Sequence, residues 1–343
     1  MNILIVRVSS LGDVVHNMPM VSDIRCHYPD ANIDWVVEEG YTSLVRMNPE
    51  VRRIIPIALR RWRKSLLSAA TRAEIANFRR QLKQDAYDVI FDTQGLLKTS
   101  VVMRMARLAP GGQRIGLGNA TEGSGYEPLS RLFHTKSVTV GLHTHAVLRA
   151  RQVAAQALGY HVDGVADFNM HMPSMSAADL PPWMPDQPYA VFFHGTARAE
   201  KQWPASHWVQ IAGLLAERGM LVLLPWGSEA EKRVAEQLAS QMSNARVLPR
   251  LPLMEAVLLA QRAALVIGVD TGLTHIAAAF NRPTIELYCD SPRWKTEGNW
   301  SSQIINLGDI GKPPTVDEVL LALDSLGSQI QWRKAAGVEP TRE

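Results

Sequence analysis

The chain has 343 residues, enough for two domains of ordinary size, and its 46% hydrophobic and 20% charged residues are typical of a globular protein. The two cysteines, Cys26 and Cys289, cannot form a disulfide framework and lack metal-ligand spacing. We therefore expect the protein to be located in the reducing cytoplasm. The first apolar run is too short for a signal peptide, and no uncharged stretch approaches the roughly 18 residues of a membrane-spanning helix. We therefore expect neither export through a visible signal nor a membrane span.

The net charge of +3 conceals an uneven distribution. Ten Lys or Arg residues and one acidic residue, Glu74, lie between Arg52 and Lys83, so the rest of the chain is net acidic. A local basic patch on an otherwise acidic protein predicts a specific anionic partner.

The first half of the sequence alternates between two kinds of segment, which predicts a parallel sheet covered by helices. Strand-like segments are 3–8, 33–37, 53–57 and 88–92, and helix-like segments are 14–27, 72–83, 96–108 and 145–158. Residues 111–125, with six glycines, are predicted to be loop-rich.

The stretch MPSMSAADLPPWMPDQP breaks this periodicity and predicts a linker over 181–188. The alternation then resumes: YAVFFHGT, MLVLLPWG, AALVIGVDTG and RPTIELY are strand-like, with helical patterns between them. We expect an N-terminal domain over 1–180, a C-terminal domain over 189–330 and a polar tail over 331–343. Both would be doubly wound α/β domains that face a central cleft, with ligands at the carboxyl ends of their strands.

The stretch SSLGDVVHNMP follows the first strand, where a dinucleotide-binding fold would carry a glycine-rich loop. Here the loop has one glycine, and Asp13 would repel a phosphate. Asp13 either stabilises the first turn of the helix through the helix dipole, or serves as a proton acceptor that the same dipole keeps ionised. His16, one turn later, is expected to pack or orient rather than react.

Two stretches in the second half combine a strand end with polar side chains. In GVDTGLTHIAAA, Thr271 and Gly272 place N–H groups at a helix start, where an anion binds well. Asp270 can accept hydrogen bonds from sugar hydroxyls, and His275 follows one turn on; the alternative is an ordinary strand-to-helix turn with Asp270 as the cap. In HGTARAEKQWP, Thr196 and Lys201 follow another strand.

The segment RRWRK places four cations, Arg60, Arg61, Arg63 and Lys64, around a single tryptophan. The segment could be a solvated helix face or a nucleic-acid-binding surface. Nucleic-acid binding usually combines a broad basic face with several aromatic side chains that stack on bases, and this segment has one. Arginines also clasp carboxylates and phosphates. In DTQGLLK, Gln94 and Lys98 follow a further strand.

Together, the stretches SSLGDVVHNMP, HGTARAEKQWP and GVDTGLTHIAAA resemble the lipopolysaccharide heptosyltransferases, which transfer heptose from ADP-heptose. The stretches VVEEGY and IPIALRRWRKS are most similar to members that add the first heptose to the Kdo sugar of Kdo-lipid A. The resemblance covers about Met1–Leu326. It implies the GT-B fold, with two Rossmann-like domains, an acceptor-binding N-terminal domain, a donor-binding C-terminal domain and an inverting mechanism.

The resemblance also implies roles for individual residues, with Asp13 as the catalytic base. No metal or other cofactor is expected, because the sequence has no paired-acid loop or His/Cys cluster; Lys201 and a helix dipole would stabilise the leaving ADP instead. The implied donor-binding residues are Thr196, Lys201, Glu231 (with Glu229 as its rival), Leu251, Asp270, Thr271, Gly272 and His275. The implied acceptor-binding residues are Arg60, Arg61, Arg63, Lys64, Gln94 and Lys98.

The expected partners are ADP-heptose, Kdo-lipid A and the anionic cytoplasmic face of the inner membrane, with no nucleic acid. Two alternatives stay open. One is a sister heptosyltransferase that adds the second heptose, and the other is a non-catalytic nucleotide-sugar or nucleic-acid binding protein.

Overall fold

The computed structural model describes residues 1–176, 179–196 and 198–332. The strands are β1 (Asn2–Val6), β2 (Asn32–Glu38), β3 (Val51–Ile57), β4 (Tyr87–Asp92), β5 (Leu108–Leu117), β6 (Lys136–Val138), β7 (Tyr189–Phe193), β8 (Leu221–Leu224), β9 (Ala245–Val247), β10 (Leu265–Val269), β11 (Thr284–Tyr288) and β12 (Ile304–Gly308). The α-helices are α1 (Leu11–His16), α2 (Met18–His27), α3 (Thr42–Val45), α4 (Leu59–Trp62), α5 (Ala69–Leu82), α6 (Leu97–Met105), α7 (Ala146–Leu158), α8 (Ala205–Glu217), α9 (Glu229–Ala239), α10 (Leu253–Arg262), α11 (Gly272–Ala279) and α12 (Val316–Ser325).

The strands form two parallel six-stranded sheets. The first has the order β3-β2-β1-β4-β5-β6, and the second has the order β12-β11-β10-β7-β8-β9. Each order runs outward in both directions from a central pair, β1 with β4 and β7 with β10, which is the doubly wound arrangement. The predicted fold class, two Rossmann-like α/β domains of the GT-B fold, is confirmed.

The chain divides into two compact units. The first comprises Met1–Pro173 with Trp294–Thr296, and the second comprises Ser174–Arg293 with Glu297–Glu343. The division before Ser174 lies N-terminal of the linker expected at 181–188, and the domain limits drawn from the sequence stay a prediction. The predicted polar tail lies outside the described residues from position 333 onward.

Each sheet is covered by helices that bury apolar side chains against it. In the first unit, Phe78 and Leu82 of α5 join Val102 and Met103 of α6 over the central strands. In the second, the helices α8, α9 and α12 contribute the apolar side chains Ile211, Leu215, Ala235, Leu238, Val319 and Leu323. Within the described part of the chain, no helix is both long and apolar enough to cross a membrane.

The helix predicted over 14–27 is two helices, because the chain is interrupted at Asn17. Pro19 lies in the first turn of α2. A proline lacks the N–H that would continue the hydrogen-bond ladder to Val15, and its ring would contact that carbonyl, so the chain restarts instead.

The prediction of a loop-rich segment over 111–125 is wrong for its first part, because β5 continues through Leu117. The glycines there serve close packing. A Cβ atom on Gly112 would lie 2.8 Å from the carbonyl oxygen of Tyr87, and one on Gly116 would lie 2.3 Å from the ring of His134. Glycine in a strand therefore marks a close approach here.

Candidate functional site

Asp13 lies in the first turn of α1, which a short loop connects to the carboxyl end of the central strand β1. Its Oδ2 accepts hydrogen bonds from the backbone N–H (3.0 Å) and the hydroxyl (2.9 Å) of Ser10. Its Oδ1 lies 2.6 Å from Nη2 of Arg7. The Asp13 side chain is nevertheless 37% exposed, so the carboxylate that stabilises the helix start can also contact a ligand.

The charges around Asp13 decide its protonation state. Burial alone would raise the pKa of the carboxyl, but the Arg7 guanidinium and the Ser10 hydrogen bonds outweigh burial and hold the pKa well below its usual range. Asp13 is therefore ionised throughout the physiological pH range.

A second buried arginine, Arg149 on α7, interacts electrostatically with Arg7 and Asp13. Its Nη1 donates to the hydroxyl of Thr121 at 2.9 Å. Burial and the charge of Arg7 lower the pKa of Arg149 to about 10, whereas Asp13 acts in the opposite direction. Arg7, Asp13 and Arg149 thus form a charged cluster in the first unit.

Arg7 and Arg149 were not identified as site residues from the sequence. Arg7 could have been identified, because it directly follows a buried apolar strand and a charged side chain is rarely buried unless it is paired. Its Nη1 also donates to the carbonyl of Thr93 at 2.5 Å, which ties the loop after β1 to the loop after β4. Arg149 sits within a helical pattern that gave no such signal.

Gln94, a predicted acceptor-binding residue, is 9% exposed. Its Oε1 accepts a hydrogen bond from the backbone N–H of Val8 at 3.1 Å. The side chain therefore supports the loop that carries Asp13, and its predicted contact with the acceptor stays a prediction.

The basic segment between Arg52 and Lys83 divides into paired and unpaired cations. Arg52 and Arg53 both bind the buried carboxylate of Asp34, at 2.9 and 2.7 Å. Arg61 pairs with Glu39 and Glu74. Of the predicted acceptor-binding residues, Arg61 is therefore engaged in an internal ion-pair network.

The other predicted acceptor-binding cations form no ion pair among the residues that the structure describes. The guanidinium of Arg60 lies 5.8 Å from the ring centroid of Tyr41. Arg63 and Lys98 line one apolar groove between α5 and α6, together with Trp62. Lys64 is exposed in the turn that follows α4. Arg63 and Lys98, which are distant in sequence, are thus brought together.

In the second unit, Asp270 lies at the carboxyl end of β10 and connects two cationic side chains. Its Oδ2 is 2.5 Å from Nζ of Lys201, and its Oδ1 is 3.1 Å from Nε2 of His275. The other ring nitrogen of His275 is 3.1 Å from Oε1 of Glu286 on β11. Three predicted donor-binding residues therefore form one connected cluster, and Glu286 is a member that the sequence did not reveal.

The cluster is a set of alternating charges. Burial would lower the pKa of His275, but Glu286 and Asp270 outweigh it and raise that pKa to about 10, so the imidazole is protonated at neutral pH. Burial would raise the pKa of Asp270, and His275 and Lys201 instead hold it well below its usual range. Tyr288 donates to the second oxygen of Glu286 at 2.8 Å, which fixes that carboxylate.

The start of α11 lies beside this cluster. Thr271 is the N-cap residue and Gly272 the first helical residue, so the first N–H groups of the helix point outward from the end of β10. A Cβ atom on Gly268 would lie 2.2 Å from the hydroxyl oxygen of Thr274, so a glycine in β10 allows α11 to approach the strand this closely. This arrangement can bind an anion.

Glu231 lies near the end of the neighbouring strand β7. Its Oε2 accepts from the backbone N–H groups of Gly227 (2.7 Å) and Ser228 (3.1 Å), and a Cβ atom on Gly195 would lie 3.0 Å from its carboxyl carbon. Thr196 follows Gly195 directly, so both predicted donor-binding residues are at one strand end. Leu251 is half-buried before α10, and its contact with an adenine stays a prediction.

The two units thus carry complementary chemistry. The first has an ionised carboxylate that can accept a proton, and the second has a lysine and a helix start that can bind a diphosphate. Among the described residues, no group of three or more His, Cys, Asp or Glu side chains is arranged to hold a metal ion.

Comparison with known proteins agrees with the resemblance seen in the motifs. Residues 75–321 match Glycosyltransferase family 9 (heptosyltransferase). The lipopolysaccharide heptosyltransferase 1 of Pseudomonas aeruginosa is 41% identical over 84% of this chain and 78% of its own length. The enzyme of the same name from Escherichia coli K12 is 38% identical over 84% of this chain and 88% of its own.

Solved structures show the same similarity in three dimensions. The E. coli heptosyltransferase WaaC with ADP superimposes with a TM-score of 0.81 at 34% identity, covering 94% of this chain and 99% of that one. E. coli heptosyltransferase II, at 21% identity and a TM-score of 0.71, covers 96% of this chain and 99% of its own, and shares the fold.

Proposed function

The chain belongs to glycosyltransferase family 9, the heptosyltransferases, and on that premise we propose that it transfers heptose from ADP-heptose to the Kdo sugar of Kdo-lipid A. The reaction belongs to the synthesis of the lipopolysaccharide inner core. The observation that carries this proposal is the identity of 38–41% to relatives named lipopolysaccharide heptosyltransferase 1, which extends over 84% of the chain. The geometry of the two sites supports it.

In the proposed reaction, Asp13 removes the proton from the attacking hydroxyl of the Kdo sugar. The oxygen attacks the anomeric carbon of the heptose, the bond from that carbon to the diphosphate breaks, and the configuration inverts. One base is sufficient for this step, in contrast to retaining hydrolysis, which needs two carboxylates in fixed roles. The 37% exposure of the Asp13 side chain and its ionised state support this assignment.

The second unit would bind the donor and stabilise the ADP that leaves. Lys201 and the start of α11 would contact the diphosphate, on which negative charge grows toward the transition state. Asp270 would accept hydrogen bonds from heptose hydroxyls, and Glu231 would bind the ribose hydroxyls. No divalent metal is required in this mechanism, because the cationic lysine and the helix dipole neutralise the leaving group.

A transfer assay with purified protein tests the proposal. ADP-heptose, ADP-glucose and UDP-glucose are each offered with Kdo-lipid A, and the product is detected by mass spectrometry. We expect heptose transfer alone to be efficient. Binding of ADP-heptose without transfer to any acceptor would favour the non-catalytic alternative.

The sister activity, addition of the second heptose, is tested in the same assay. The acceptor is replaced by Kdo-lipid A that already carries one heptose. The proposal expects a much lower kcat/KM with this acceptor than with Kdo-lipid A, and the reverse order would assign the chain to the sister activity.

The proposed acceptor is part of a bilayer, so the protein would act at the anionic cytoplasmic face of the inner membrane. Arg60, Arg63 and Lys64 support this contact, because cations near an anionic surface each contribute about 1 kcal/mol of attraction. Co-sedimentation with phosphatidylglycerol vesicles at low and high salt tests it, and binding that salt abolishes is the expected result.

A further inference from the structure

An apolar groove lies between α5, α6 and the segment that follows α4 in the first unit. It has a volume of about 360 Å³. Trp62, Phe78 and Val102 form its buried base, and Leu66 and Val101 form part of its walls. Leu66 is 55% exposed and Val101 is 44% exposed, so the groove presents apolar surface to water that a ligand could cover.

The rim of this groove is cationic. Arg63, Arg79 and Lys98 line it, and none of its described lining residues is acidic. These three side chains form no ion pair among the residues that the structure describes. A groove with an apolar base and a cationic rim is complementary to a molecule that joins a hydrocarbon chain to an anionic head group.

The groove runs along α6 from Leu97 to Met105, and one end of it lies at the functional edge of the first sheet. Its lining includes Leu59, just after β3, and Leu97, the first residue of α6 after β4. Asp13 follows β1, and all three strands are parallel members of the same sheet, so their carboxyl ends share one edge. Two predicted acceptor-binding residues, Arg63 and Lys98, lie directly on the rim.

We propose that this groove binds an acyl chain of the glycolipid acceptor while Arg63, Arg79 and Lys98 contact its phosphates. The inference rests on the proposed function, because that function makes the acceptor a phosphorylated, acylated sugar. It adds that the enzyme recognises the lipid part of the acceptor and not the sugar alone. Each buried methylene group then contributes to acceptor binding.

A bilayer surface is the competing occupant, and two adjacent leucines distinguish it from a single chain. Leu66 lines the groove, whereas Leu67 does not line it and is 90% exposed. A bilayer would engage the more exposed Leu67 at least as strongly as Leu66. A single acyl chain in the groove would contact Leu66 and leave Leu67 in water.

The kinetic test compares Leu66→Glu and Val101→Glu with the matched control Leu67→Glu. Detergent-dispersed Kdo-lipid A and its fully deacylated form are the two acceptors. We expect the first two variants to raise the KM for the acylated acceptor about tenfold, which corresponds to about 1.4 kcal/mol. The KM for the deacylated acceptor should rise less, because the new carboxylate can weaken only the phosphate contacts of the rim cations and this acceptor has no acyl chain to lose. The KM for ADP-heptose should not change, and Leu67→Glu should behave as wild type. Equal effects of Leu66→Glu and Leu67→Glu would overturn the proposal in favour of a bilayer.

A binding measurement keeps the test independent of turnover. A short-chain phosphatidic acid with a dibrominated acyl chain, used below its critical micelle concentration, quenches tryptophan fluorescence at short range. We expect saturable quenching in wild type that is lost in both Trp62→Phe and Leu66→Glu and kept in Leu67→Glu. If wild type transfers heptose to neither acceptor, the proposed function fails while this measurement still decides the acyl-chain site. Absence of Trp62 quenching would overturn the site.

Discussion

The guanidinium of Arg7 lies 2.6 Å from the carboxylate of Asp13, where the first strand ends and the first helix begins. This ion pair keeps Asp13 ionised but also makes it a weak base. A weak base suffices when the hydroxyl proton becomes acidic as the new glycosidic bond forms. In the proposed mechanism the pair would favour proton transfer late in the reaction, and the pH dependence of turnover would then depend directly on Arg7.

Replacing Asp13 by Asn removes the proton acceptor and keeps the shape of the side chain. We expect turnover to fall by about 10²–10⁴, the usual contribution of general-base catalysis. The Kd of ADP-heptose, measured by calorimetry, should stay unchanged because the proposed donor site belongs to the second unit. Asp30→Asn, at an exposed position of the same unit, is the control. Turnover near that of wild type would remove Asp13 from the mechanism.

Replacing Arg7 by Met should move the acid limb of the kcat/KM profile to higher pH. In the wild type, the folded pKa of Asp13 lies below its ordinary value of 3.8, so the active ionised form persists throughout the neutral range. Without Arg7, burial raises that pKa, and activity is lost as the pH falls through the raised value. The profile of Arg46→Met, which changes an exposed arginine, should match wild type. An unchanged limb in Arg7→Met contradicts the proposed coupling.

The fold was predictable because alternating buried strands and amphipathic helices carry a strong local signal. Asp13 was recognisable as unusual because it is a lone carboxylate in a loop where a phosphate-binding fold would place glycines, but its role as the base came from the family resemblance and stays a prediction. The ion-pair partners of the arginines could not be predicted from the sequence. Nothing local in the sequence distinguishes Arg61, which pairs with Glu39 and Glu74, from Arg63, which faces the groove, since ion pairing depends on strands brought together by folding.

The cluster of Lys201, Asp270, His275 and Glu286 also contains both residues that the sequence identified and one that it did not. The motif containing Asp270 and His275 was recognisable because it follows a buried strand and opens a helix. Glu286 lies within β11, where the sequence reads as an ordinary buried strand, and only the pairing of β10 with β11 brings it to His275. A charged residue in the middle of a buried strand is the signal that could have identified it.

Replacing Lys201 by Ala should weaken binding of ADP by about 10- to 100-fold, because one charge-assisted hydrogen bond to a phosphate is lost. Turnover should also fall by about 10², since charge on the leaving diphosphate grows toward the transition state. Calorimetry and steady-state kinetics measure the two effects. Lys312→Ala, at an exposed position of the same unit, should change neither, and Lys201→Arg should retain part of both.

Metal dependence is a separate expectation of the same mechanism. Wild-type turnover should survive extensive dialysis against EDTA, because in the proposed mechanism Lys201 and the start of α11 stabilise the charge of the diphosphate. Elemental analysis of the dialysed protein serves as the control for metal removal. A strict requirement for added magnesium or manganese would contradict this assignment of charge stabilisation.

Neutralising Arg60 and Arg63 together, each as Gln, should raise the KM of Kdo-lipid A and leave that of ADP-heptose nearly unchanged. The penalty should shrink as salt is raised, because mobile ions screen exposed charges. The matched control is Lys83→Gln with Arg104→Gln, which removes two charges at the ends of α5 and α6 that lie near the amino ends of the strands. An equal rise in the KM of Kdo-lipid A in the two double variants would mean that the effect is a non-specific one of net charge, and Arg60 and Arg63 would not be acceptor-binding residues.

The buried imidazole of His275 makes the stability of the second unit depend on pH. Its folded pKa is raised to about 10, above the value near 6.5 of an unfolded histidine, so its contribution is complete below pH 6.5 and is lost as the pH rises toward 10. The unfolding free energy should therefore decline across this window, with a slope of up to about 1.4 kcal/mol per pH unit from this group.

The comparison of His275→Gln with wild type isolates the pH dependence of this cluster, because groups outside the cluster titrate equally in both proteins. Urea unfolding at several values between pH 6.5 and 9.5 should show a difference in unfolding free energy that is largest at the low end and narrows as the pH rises. His161→Gln, at an exposed position, should give a constant difference near zero. A constant penalty for His275→Gln across the window would mean that the imidazole is buried in its neutral form. The cluster would then carry one positive charge fewer, and Lys201 alone would offset the carboxylates of Asp270 and Glu286.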